Sequence, residues 1–486
     1  MRPRIRSLGD LKASGYRSRS VRDEVRENLL LALRRKQRLF PEIVGYEQTV
    51  IPQVINAILS RHDIILLGLR GQAKTRILRG LVRFLDEWVP VVEGSPLHED
   101  PLNPVTRPTR ALIEEQGDAC PISWKHRDER FNEKLATPDV SMADLIGDID
   151  PIRASRERLD LSDERVIHYG IIPRTHRGLF LLNELPDLQA RIQVGLLNIL
   201  EERDVQIRGF PLRLDLDILM LFTANPEDYT NRGSIITPLK DRIGSQILTH
   251  YPRTLDDALA ITEQEASLDR SLPVKLPRLF REVVEEIAIQ ARASEHVDQT
   301  SGVSARLSIS ALELVASNVE RRQVVTGDKN PLPRLCDLFA ALPAITGKCE
   351  LVFEGEQEGA GIVAAKLIGS AVKAVFARNF PPIHHSKKDP KPVEPLYARI
   401  QAWFSAGHAL EISDMESGAD ESKRLKEVDG LRELARKYLP SLPPAEEAGA
   451  MELVLEGLHQ HSVLSREGSI GSIVYTDMLS RMMQDF

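Results

Sequence analysis

The chain has 486 residues, of which 42% are hydrophobic and 28% are charged, and its formal net charge at pH 7 is −7. This length accommodates two or three domains of ordinary globular composition. No apolar run reaches the ~18–20 residues that cross a bilayer, so we expect no membrane span. The negative net charge argues against broad nonspecific nucleic-acid binding, and we expect no nucleic-acid partner.

The termini and the cysteines bear on the compartment. The arginine-rich start, residues 1–40, has no apolar segment of the kind that a secretory signal carries. It is predicted to be a basic helical lead-in whose cationic run at 34–38 forms a solvated helix face. The three cysteines lie far apart without metal-ligand spacing, which is typical of a reducing compartment. We therefore expect a cytoplasmic protein.

The first site motif follows an apolar run at 64–67. Residues 68–75 read Gly-Leu-Arg-Gly-Gln-Ala-Lys-Thr. A strand, a glycine-bearing turn and a helix that opens with Lys-Thr are typical of a phosphate-binding loop, in which main-chain N–H groups, a lysine and a Mg²⁺-binding hydroxyl meet the phosphates. The predicted nucleotide-binding residues are Gly68, Gly71, Gln72, Ala73, Lys74 and Thr75, of which Thr75 also reaches Mg²⁺.

Ala73 departs from this loop pattern, because a glycine usually stands at that position. We expect the alanine to be tolerated, since it can adopt helical dihedral angles at the start of a helix.

Residues 41–252 are predicted to form an α/β nucleotide-binding core. The apolar runs at 64–67, 179–182 and 218–222 are too short for helices and suit buried parallel strands joined by crossovers. Between the first two runs, residues 91–135 contain five prolines and are predicted to be a long irregular insertion.

Further along the chain, residues 205–216 alternate in polarity around a Gly-Phe-Pro turn and predict a β-hairpin. Residues 253–380 are predicted to be a helical lid and its extension. The proline-rich segment 381–396 is interpreted as a linker. Apolar residues at helical spacing predict a helical C-terminal region over 397–486.

Two polar residues end the second apolar strand, in the order Leu181-Leu182-Asn183-Glu184. A P-loop ATPase needs an acidic group on a neighbouring strand to activate the attacking water, and Glu184 has that position. Asn183 stands where a metal-holding aspartate is expected. Its amide can bind a Mg²⁺-bound water but brings no charge, so slow turnover is a predicted consequence.

The third strand ends in Thr223-Ala224-Asn225-Pro226. A polar residue at the carboxyl end of a central parallel strand lies in the crevice where ligands of open α/β sheets bind. Asn225 is therefore a candidate to orient the attacking water, although an Asn-Pro turn at a strand end explains the pattern equally well.

Taken in order, these motifs resemble AAA+ ATPases of the magnesium-chelatase I subunit and MoxR clade. The resemblance also covers residues 40–46, residues 145–150, which begin an insertion taken as 147–172, and Leu239-Lys240-Asp241-Arg242-Ile243-Gly244. It implies the AAA+ fold, a P-loop parallel sheet flanked by helices with a helical lid. It further implies ATP and Mg²⁺ as cofactors and ATP hydrolysis as the activity.

The same resemblance assigns residue roles. Glu184 corresponds to the catalytic Walker B glutamate and Asn225 to sensor 1. Arg242 corresponds to the arginine finger inserted into a neighbour's ATP site. Arg306, just before a helix-period run, corresponds to sensor 2 in the lid and would contact nucleotide.

The family further implies a homo-oligomeric ring, taken as hexameric, that remodels client proteins together with a von Willebrand A-domain partner. One alternative is a nucleotide-gated scaffold with little hydrolysis, which Asn183 favours. Another is an AAA+ transcription activator, but the Gly-Ala-Phe-Thr-Gly-Ala loop of that class and a basic recognition helix are not found.

Overall fold

The computed structural model describes residues 3–160, 163–202, 204–207, 213–225, 234–269, 274–329, 331–383, 393–414, 416–468 and 471–478. The chain divides into two compact units, here called unit 1 (Met1–His250) and unit 2 (Tyr251–Phe486).

Unit 1 is built on a parallel β-sheet. Its strands are β1 (Ile64–Leu67), β2 (Trp88–Val92), β3 (Ile122–His126), β4 (Phe131–Leu135), β5 (Gly147–Ile149), β6 (Ile167–Tyr169), β7 (Gly178–Asn183), β8 (Asp204–Gln206), β9 (Arg213–Asp215), β10 (Ile218–Ala224) and β11 (Ser245–Leu248). Five of them pair in parallel in the order β11-β1-β10-β7-β4. The carboxyl ends of β1, β10 and β7 are thus neighbours at one edge of the sheet.

The central strands are mostly apolar because both faces of the sheet are covered. Successive side chains of a strand point to opposite faces. On one face lie Ile65, Phe180 and Phe222, and on the other lie Leu66 and Leu181, all of them buried. Burying such a side chain stabilises the fold by about 1.5–3 kcal/mol. The predicted fold class, a parallel sheet flanked by helices, is confirmed.

Helices cover both faces of this sheet. The helices of unit 1 are α1 (Leu8–Ala13), α2 (Val21–Arg34), α3 (Val50–Leu59), α4 (Lys74–Arg79), α5 (Arg107–Gln116), α6 (Met142–Leu145), α7 (Pro151–Glu157), α8 (Ile171–Arg174), α9 (Ala190–Gly195), α10 (Leu197–Glu201) and α11 (Thr237–Arg242). Short 3-10 turns occupy Gly80–Phe84, Gly117–Ala119, Arg127–Arg130, Glu164–Val166 and Leu185–Asp187.

The N-terminal lead-in is part of unit 1 because α2 packs on the sheet. Its Val21, Val25 and Leu29 belong to the same apolar cluster as β1. Glu24 accepts two hydrogen bonds from the guanidinium of the buried Arg130, at 2.7 Å each. Removing one partner of a buried pair leaves an uncompensated charge, which costs about 3–5 kcal/mol. The cationic residues at 34–38 are exposed, as the sequence predicted, but they do not form a helix face, because α2 ends at Arg34.

The prediction that residues 91–135 are irregular is wrong. The segment contains α5, β3 and β4, and β2 ends inside it. β3 pairs antiparallel with β2, while β4 joins the main sheet beside β7. β4 reads Phe-Asn-Glu-Lys-Leu and is half-buried, because it is the edge strand of the sheet. A strand at an edge does not need an apolar sequence, so hydrophobic patterning did not detect it.

Unit 1 contains two further small antiparallel strand pairs. β5 pairs antiparallel with β6, inside the segment 147–172. β8 pairs antiparallel with β9, in the segment predicted as a hairpin, and residues 208–212 of its turn lie outside the described residues.

Unit 2 combines helices with a small sheet. Its helices are α12 (Leu255–Glu265), α13 (Arg278–Ala293), α14 (Arg306–Thr326), α15 (Leu342–Thr346), α16 (Phe353–Glu358), α17 (Ala360–Asn379), α18 (Pro395–Ser405), α19 (Gly418–Glu427), α20 (Leu431–Tyr438) and α21 (Glu447–Gln460), with 3-10 turns at Leu335–Ala341 and Pro444–Glu446. Its strands are β12 (Leu410–Ser413), β13 (Leu464–Gly468) and β14 (Ser472–Asp477).

The predicted helical region 397–486 is therefore only partly helical. The three strands form an antiparallel sheet in the order β12-β14-β13. They escaped prediction because they are short and buried on one face: in β14, Ile473 and Tyr475 are buried between half-buried residues. One apolar cluster runs from Phe280 to Tyr475, so the segments predicted as lid and C-terminal region share a core. Residues 384–392 of the predicted linker lie outside the described residues.

One helix of unit 2 bears on the expectation that the chain has no membrane span. Among the described residues, α17 is by length and composition alone long and apolar enough to cross a membrane. About half of this apolar stretch is buried inside the protein. Val372 and Val375 of this helix belong to the shared core of unit 2, which is the position of a core helix.

Candidate functional site

The loop between β1 and α4 lies against the carboxyl end of β10. The Gly68 N–H donates to the Ala224 carbonyl at 3.1 Å, which continues the pairing of β1 with β10 beyond the strand. Gly71 has a φ of +76°, a left-handed conformation that favours glycine. The loop then enters α4 at Lys74.

Ala73 does not have the helical dihedral angles that we expected. It caps α4 in the left-handed conformation, with φ +56° and ψ +15°. The glycine that usually stands here would adopt these angles without a steric cost, whereas an alanine pays about 1–2 kcal/mol through its Cβ atom. The alanine is accommodated, but under backbone strain.

We expect Ala73→Gly to stabilise unit 1 by up to about 1 kcal/mol, since strain relief exceeds the added freedom of the unfolded chain. The measurement is chemical denaturation in a Trp403→Phe background, which leaves only the Trp88 and Trp124 fluorescence of unit 1. The control is Ala111→Gly, at an exposed position within α5. It should destabilise by about 1 kcal/mol. Equal destabilisation by both variants would contradict the strain.

Gly68 is confined by two side chains that close the back of the loop. A Cβ atom at position 68 would lie 1.9 Å from the Thr249 hydroxyl and 2.2 Å from Gln72 Oε1. These two groups bond each other at 2.6 Å, with the Thr249 hydroxyl donating. The first glycine of the motif is therefore required by close packing.

Lys74 points into the loop. Its ammonium donates to the Leu69 carbonyl at 3.0 Å and to the Gly68 carbonyl, and the residue is only 7% exposed. A buried ammonium among main-chain carbonyls is a site of positive charge that can turn toward a phosphate anion.

The structure joins the loop to the end of β7. The Thr75 hydroxyl donates to Asn183 Oδ1 at 3.0 Å, and the Thr223 hydroxyl donates to the same oxygen at 3.2 Å. The Glu184 N–H donates to the Thr223 hydroxyl at 3.1 Å. Three residues predicted for the metal site and for the base are therefore connected in one chain of hydrogen bonds.

Thr223 was missed as a site residue. It lies within the Thr-Ala-Asn-Pro motif and is fully buried on β10, between β1 and β7. A hydroxyl inside an otherwise apolar strand was the signal that could have identified it. Its role is to hold the Asn183 amide and the Glu184 main chain in place.

Glu184 also has a left-handed main chain, with φ +53° and ψ +53°. For a residue other than glycine this conformation costs about 1–3 kcal/mol and clusters at functional sites. The residue is half-buried and directly follows β7, at the sheet edge that carries the loop.

Asn225 follows β10 and is 4% exposed. Because β10 lies between β1 and β7, Asn225 stands at the same sheet edge as the P-loop and Glu184. This neighbourhood matches the position predicted for a residue that orients water.

The two predicted arginines lie on helices, at the end of α11 and at the start of α14. Arg242 ends α11, and its guanidinium bonds Glu201 at 2.5 Å and the Pro238 carbonyl at 3.0 Å. A partly exposed ion pair of this kind contributes about 0–1 kcal/mol, so it can be exchanged for another partner. Arg306 begins α14 in unit 2, where its side chain is exposed and its N–H donates to the Ser304 hydroxyl at 3.2 Å.

A magnesium ion at this site would need ligands other than protein carboxylates, such as hydroxyl, amide and phosphate oxygens. The described part of the chain contains no group of three His, Cys, Asp or Glu side chains that could hold a metal ion. Thr75 and Asn183 offer a hydroxyl and an amide oxygen, which are hard ligands of the type Mg²⁺ prefers alongside substrate phosphates. The residues thus fit a Mg²⁺ ion that arrives with a nucleotide.

No protein-family model matches the chain. Solved structures of similar fold include the complex of the BchI and BchD subunits of magnesium chelatase, which is 18% identical, with 66% of this chain and 98% of that chain covered and a TM-score of 0.34. NtrX from Brucella abortus in complex with ADP is 13% identical, with 76% and 67% covered and a TM-score of 0.37. Hsp104 with ATPγS and casein is 13% identical, with 61% and 48% covered and a TM-score of 0.35. All three are AAA+ ATPases.

Proposed function

We propose that this chain is an ATP-hydrolysing AAA+ motor that remodels client proteins, similar to magnesium-chelatase I and MoxR proteins. The observation that carries the proposal is the 3.0 Å hydrogen bond from Thr75 to Asn183. It joins a loop with a buried lysine to the strand end that bears Glu184, which is the arrangement that nucleotide hydrolysis requires.

The mechanism assigns one task to each residue. Lys74 and the loop N–H groups bind the β- and γ-phosphates. Thr75, with Asn183 through water, would hold Mg²⁺, which neutralises charge on the transferred phosphoryl group. Glu184 accepts a proton from the attacking water, and Asn225 orients that water.

We further propose that Arg242 acts in a neighbouring copy of the chain, where it would leave Glu201 and neutralise charge developing on the γ-phosphate. Hydrolysis then depends on a ring, taken as hexameric. Arg306 would contact nucleotide from unit 2, and a von Willebrand A-domain protein would serve as partner. These assignments rest on the sequence resemblance and on the exchangeable ion pair of Arg242.

The test is Mg²⁺-dependent ATP turnover of the purified chain over a range of protein concentrations, with oligomer size measured by light scattering. We expect specific activity to rise as rings form. ATP-induced assembly without turnover would instead favour the second candidate, a nucleotide-gated scaffold. That candidate is supported by Asn183, which brings no charge to the metal site. Absence of both binding and turnover would overturn the proposal.

Asn183→Asp is expected to lower the Mg²⁺ concentration for half-maximal turnover by about tenfold, equivalent to 1.4 kcal/mol, because a carboxylate adds charge to the ligand set. The matched control is Asn198→Asp, on the exposed face of α10. It should leave that concentration unchanged. An unaltered Mg²⁺ dependence of Asn183→Asp would remove Asn183 from the metal site.

Arg242→Ala is expected to leave ATP binding by each subunit intact while the assembled protein loses turnover. Mixing this variant with Glu184→Gln protein should partly restore turnover, since some interfaces then combine an intact arginine with an intact base. Arg153→Ala, which breaks a comparable surface ion pair with Glu157, should have no effect. Verified mixed rings without restored turnover would place Arg242 outside the interface.

A further inference from the structure

Tyr46 links the back of the P-loop to the end of β11. Its hydroxyl lies 3.1 Å from the Gln72 carbonyl and 2.6 Å from the His250 carbonyl, and the residue is 5% exposed. The His250 N–H donates to the same hydroxyl at 3.3 Å. His250 is the last residue of unit 1. One phenol therefore contacts both the phosphate-binding loop and the point where the chain enters unit 2.

The chemistry of this phenol makes the two contacts exclusive. A hydroxyl carries a single hydrogen, so it donates to one carbonyl at a time. The shorter distance assigns the proton to His250 in this structure, and the Gln72 carbonyl competes for it. A shift of the loop by a few tenths of an ångström toward Tyr46 is enough to exchange the acceptor.

A second hydroxyl repeats the arrangement on the side chain of Gln72. The Thr249 hydroxyl lies 2.6 Å from Gln72 Oε1 and 3.2 Å from the Leu67 carbonyl. The Thr249 N–H donates to the Leu67 carbonyl at 2.8 Å. The Gln72 side chain is thus held by Thr249, the residue after β11, while the Gln72 carbonyl lies within hydrogen-bond distance of Tyr46. A side chain at Gly68 would collide with both Thr249 and Gln72.

His250 is restrained on its other side as well. Its Nε2 lies 2.8 Å from the Thr49 hydroxyl. Its ring packs edge-on against the Tyr46 ring, with 4.9 Å between the two ring centroids. Tyr46 and Thr49 both precede α3, so one short segment holds the His250 ring and main chain. A change in the hydrogen bond of the Tyr46 hydroxyl therefore changes a direct contact of the His250 main chain.

We propose that Tyr46 is a positioning residue that couples the state of the P-loop to the backbone at His250. The inference rests on the proposed nucleotide site. A phosphate anion attracts the Lys74 ammonium away from the Gly68 and Leu69 carbonyls, and the loop rearranges around it. The Tyr46 hydroxyl then donates its hydrogen bond to the Gln72 carbonyl, and the His250 carbonyl no longer accepts it.

The experiment compares wild type with Tyr46→Phe, which removes the hydroxyl and keeps the ring. ATP affinity is measured by equilibrium titration, and hydrogen exchange is followed in peptides covering 249–255, with and without ATP and Mg²⁺. We expect ATP to change exchange there in wild type. In Tyr46→Phe the ATP Kd should rise by less than about tenfold, as for loss of one neutral hydrogen bond, while the exchange change disappears.

The control is Tyr169→Phe, which removes another buried phenol hydroxyl, bonded to Glu164 at 3.3 Å. It should retain the ATP-dependent exchange change. If Tyr46→Phe fails to fold, Thr249→Val removes the second hydroxyl and should reduce the same change. ATP binding without any exchange change in wild type, or an undiminished change in Tyr46→Phe, would overturn the coupling but not the proposed function. No ATP binding by wild type would overturn both.

Discussion

Lys74→Ala is expected to abolish ATP binding, raising the Kd by about 100-fold or more. The ammonium is the buried charge of the loop, and a charged hydrogen bond of this kind contributes about 1.5–3 kcal/mol. In the structure the same ammonium also bonds the Gly68 and Leu69 carbonyls. The measurement is an equilibrium titration with a fluorescent ATP analogue in the presence of Mg²⁺.

A control separates the loss of this charge from a general effect on α4. Arg79 ends the same helix and binds Glu133 at the surface, with its Nε 2.7 Å from Oε2. Arg79→Ala should therefore bind ATP as wild type does. Circular dichroism of both variants checks that the sheet is intact. Undiminished affinity of folded Lys74→Ala protein would eliminate the P-loop assignment.

Glu184→Gln should leave ATP binding in place and reduce turnover by about 100-fold or more, since a general base contributes about 10²–10⁴-fold. The amide keeps the size of the side chain, and the main-chain bond from the Glu184 N–H to Thr223 is untouched. The two quantities to measure are the ATP Kd and the turnover rate at saturating ATP, because a lost base changes only the second.

The matched variant is Glu133→Gln, on the edge strand β4, where the carboxylate pairs with Arg79. It neutralises a carboxylate of unit 1 without touching the P-loop or the end of β7, and turnover should persist. If Glu184→Gln weakened ATP binding as much as turnover, the carboxylate would be structural. The left-handed main chain at Glu184 would then serve packing instead of catalysis.

Several elements could be predicted from the sequence because short stretches of consecutive residues determine them. β1, β7 and β10 are covered on both faces, so their sequences are continuous apolar runs that only buried strands explain. The Gly-X-X-Gly-X-X-Lys-Thr spacing identified the loop, and polar residues directly after two strands identified the sheet edge that faces it. Each of these signals lies within a few consecutive residues.

Edge strands and strands buried on only one face could not be predicted in this way. β4 and β14 each leave a face or an edge exposed, and polar residues occupy those positions. A search for continuous apolar runs therefore does not detect these strands. The same limit applies to Ala73. Its positive φ follows from the path of the loop between β1 and α4. The alanine side chain gives no indication of that path.

By itself the sequence determined the buried strands, the phosphate-binding loop and the residue types at the strand ends. Only the tertiary structure decided which of them meet. Insertion of β10 between β1 and β7 brings Thr75 to Asn183 and places Thr223 against both Asn183 and Glu184. Pairing of β11 with β1 places His250 just beyond that strand, where it bonds Tyr46, more than two hundred residues away along the chain. Strand order is set by how the crossover helices pack on the two faces of the sheet, and that sum of long-range contacts has no local sequence signature.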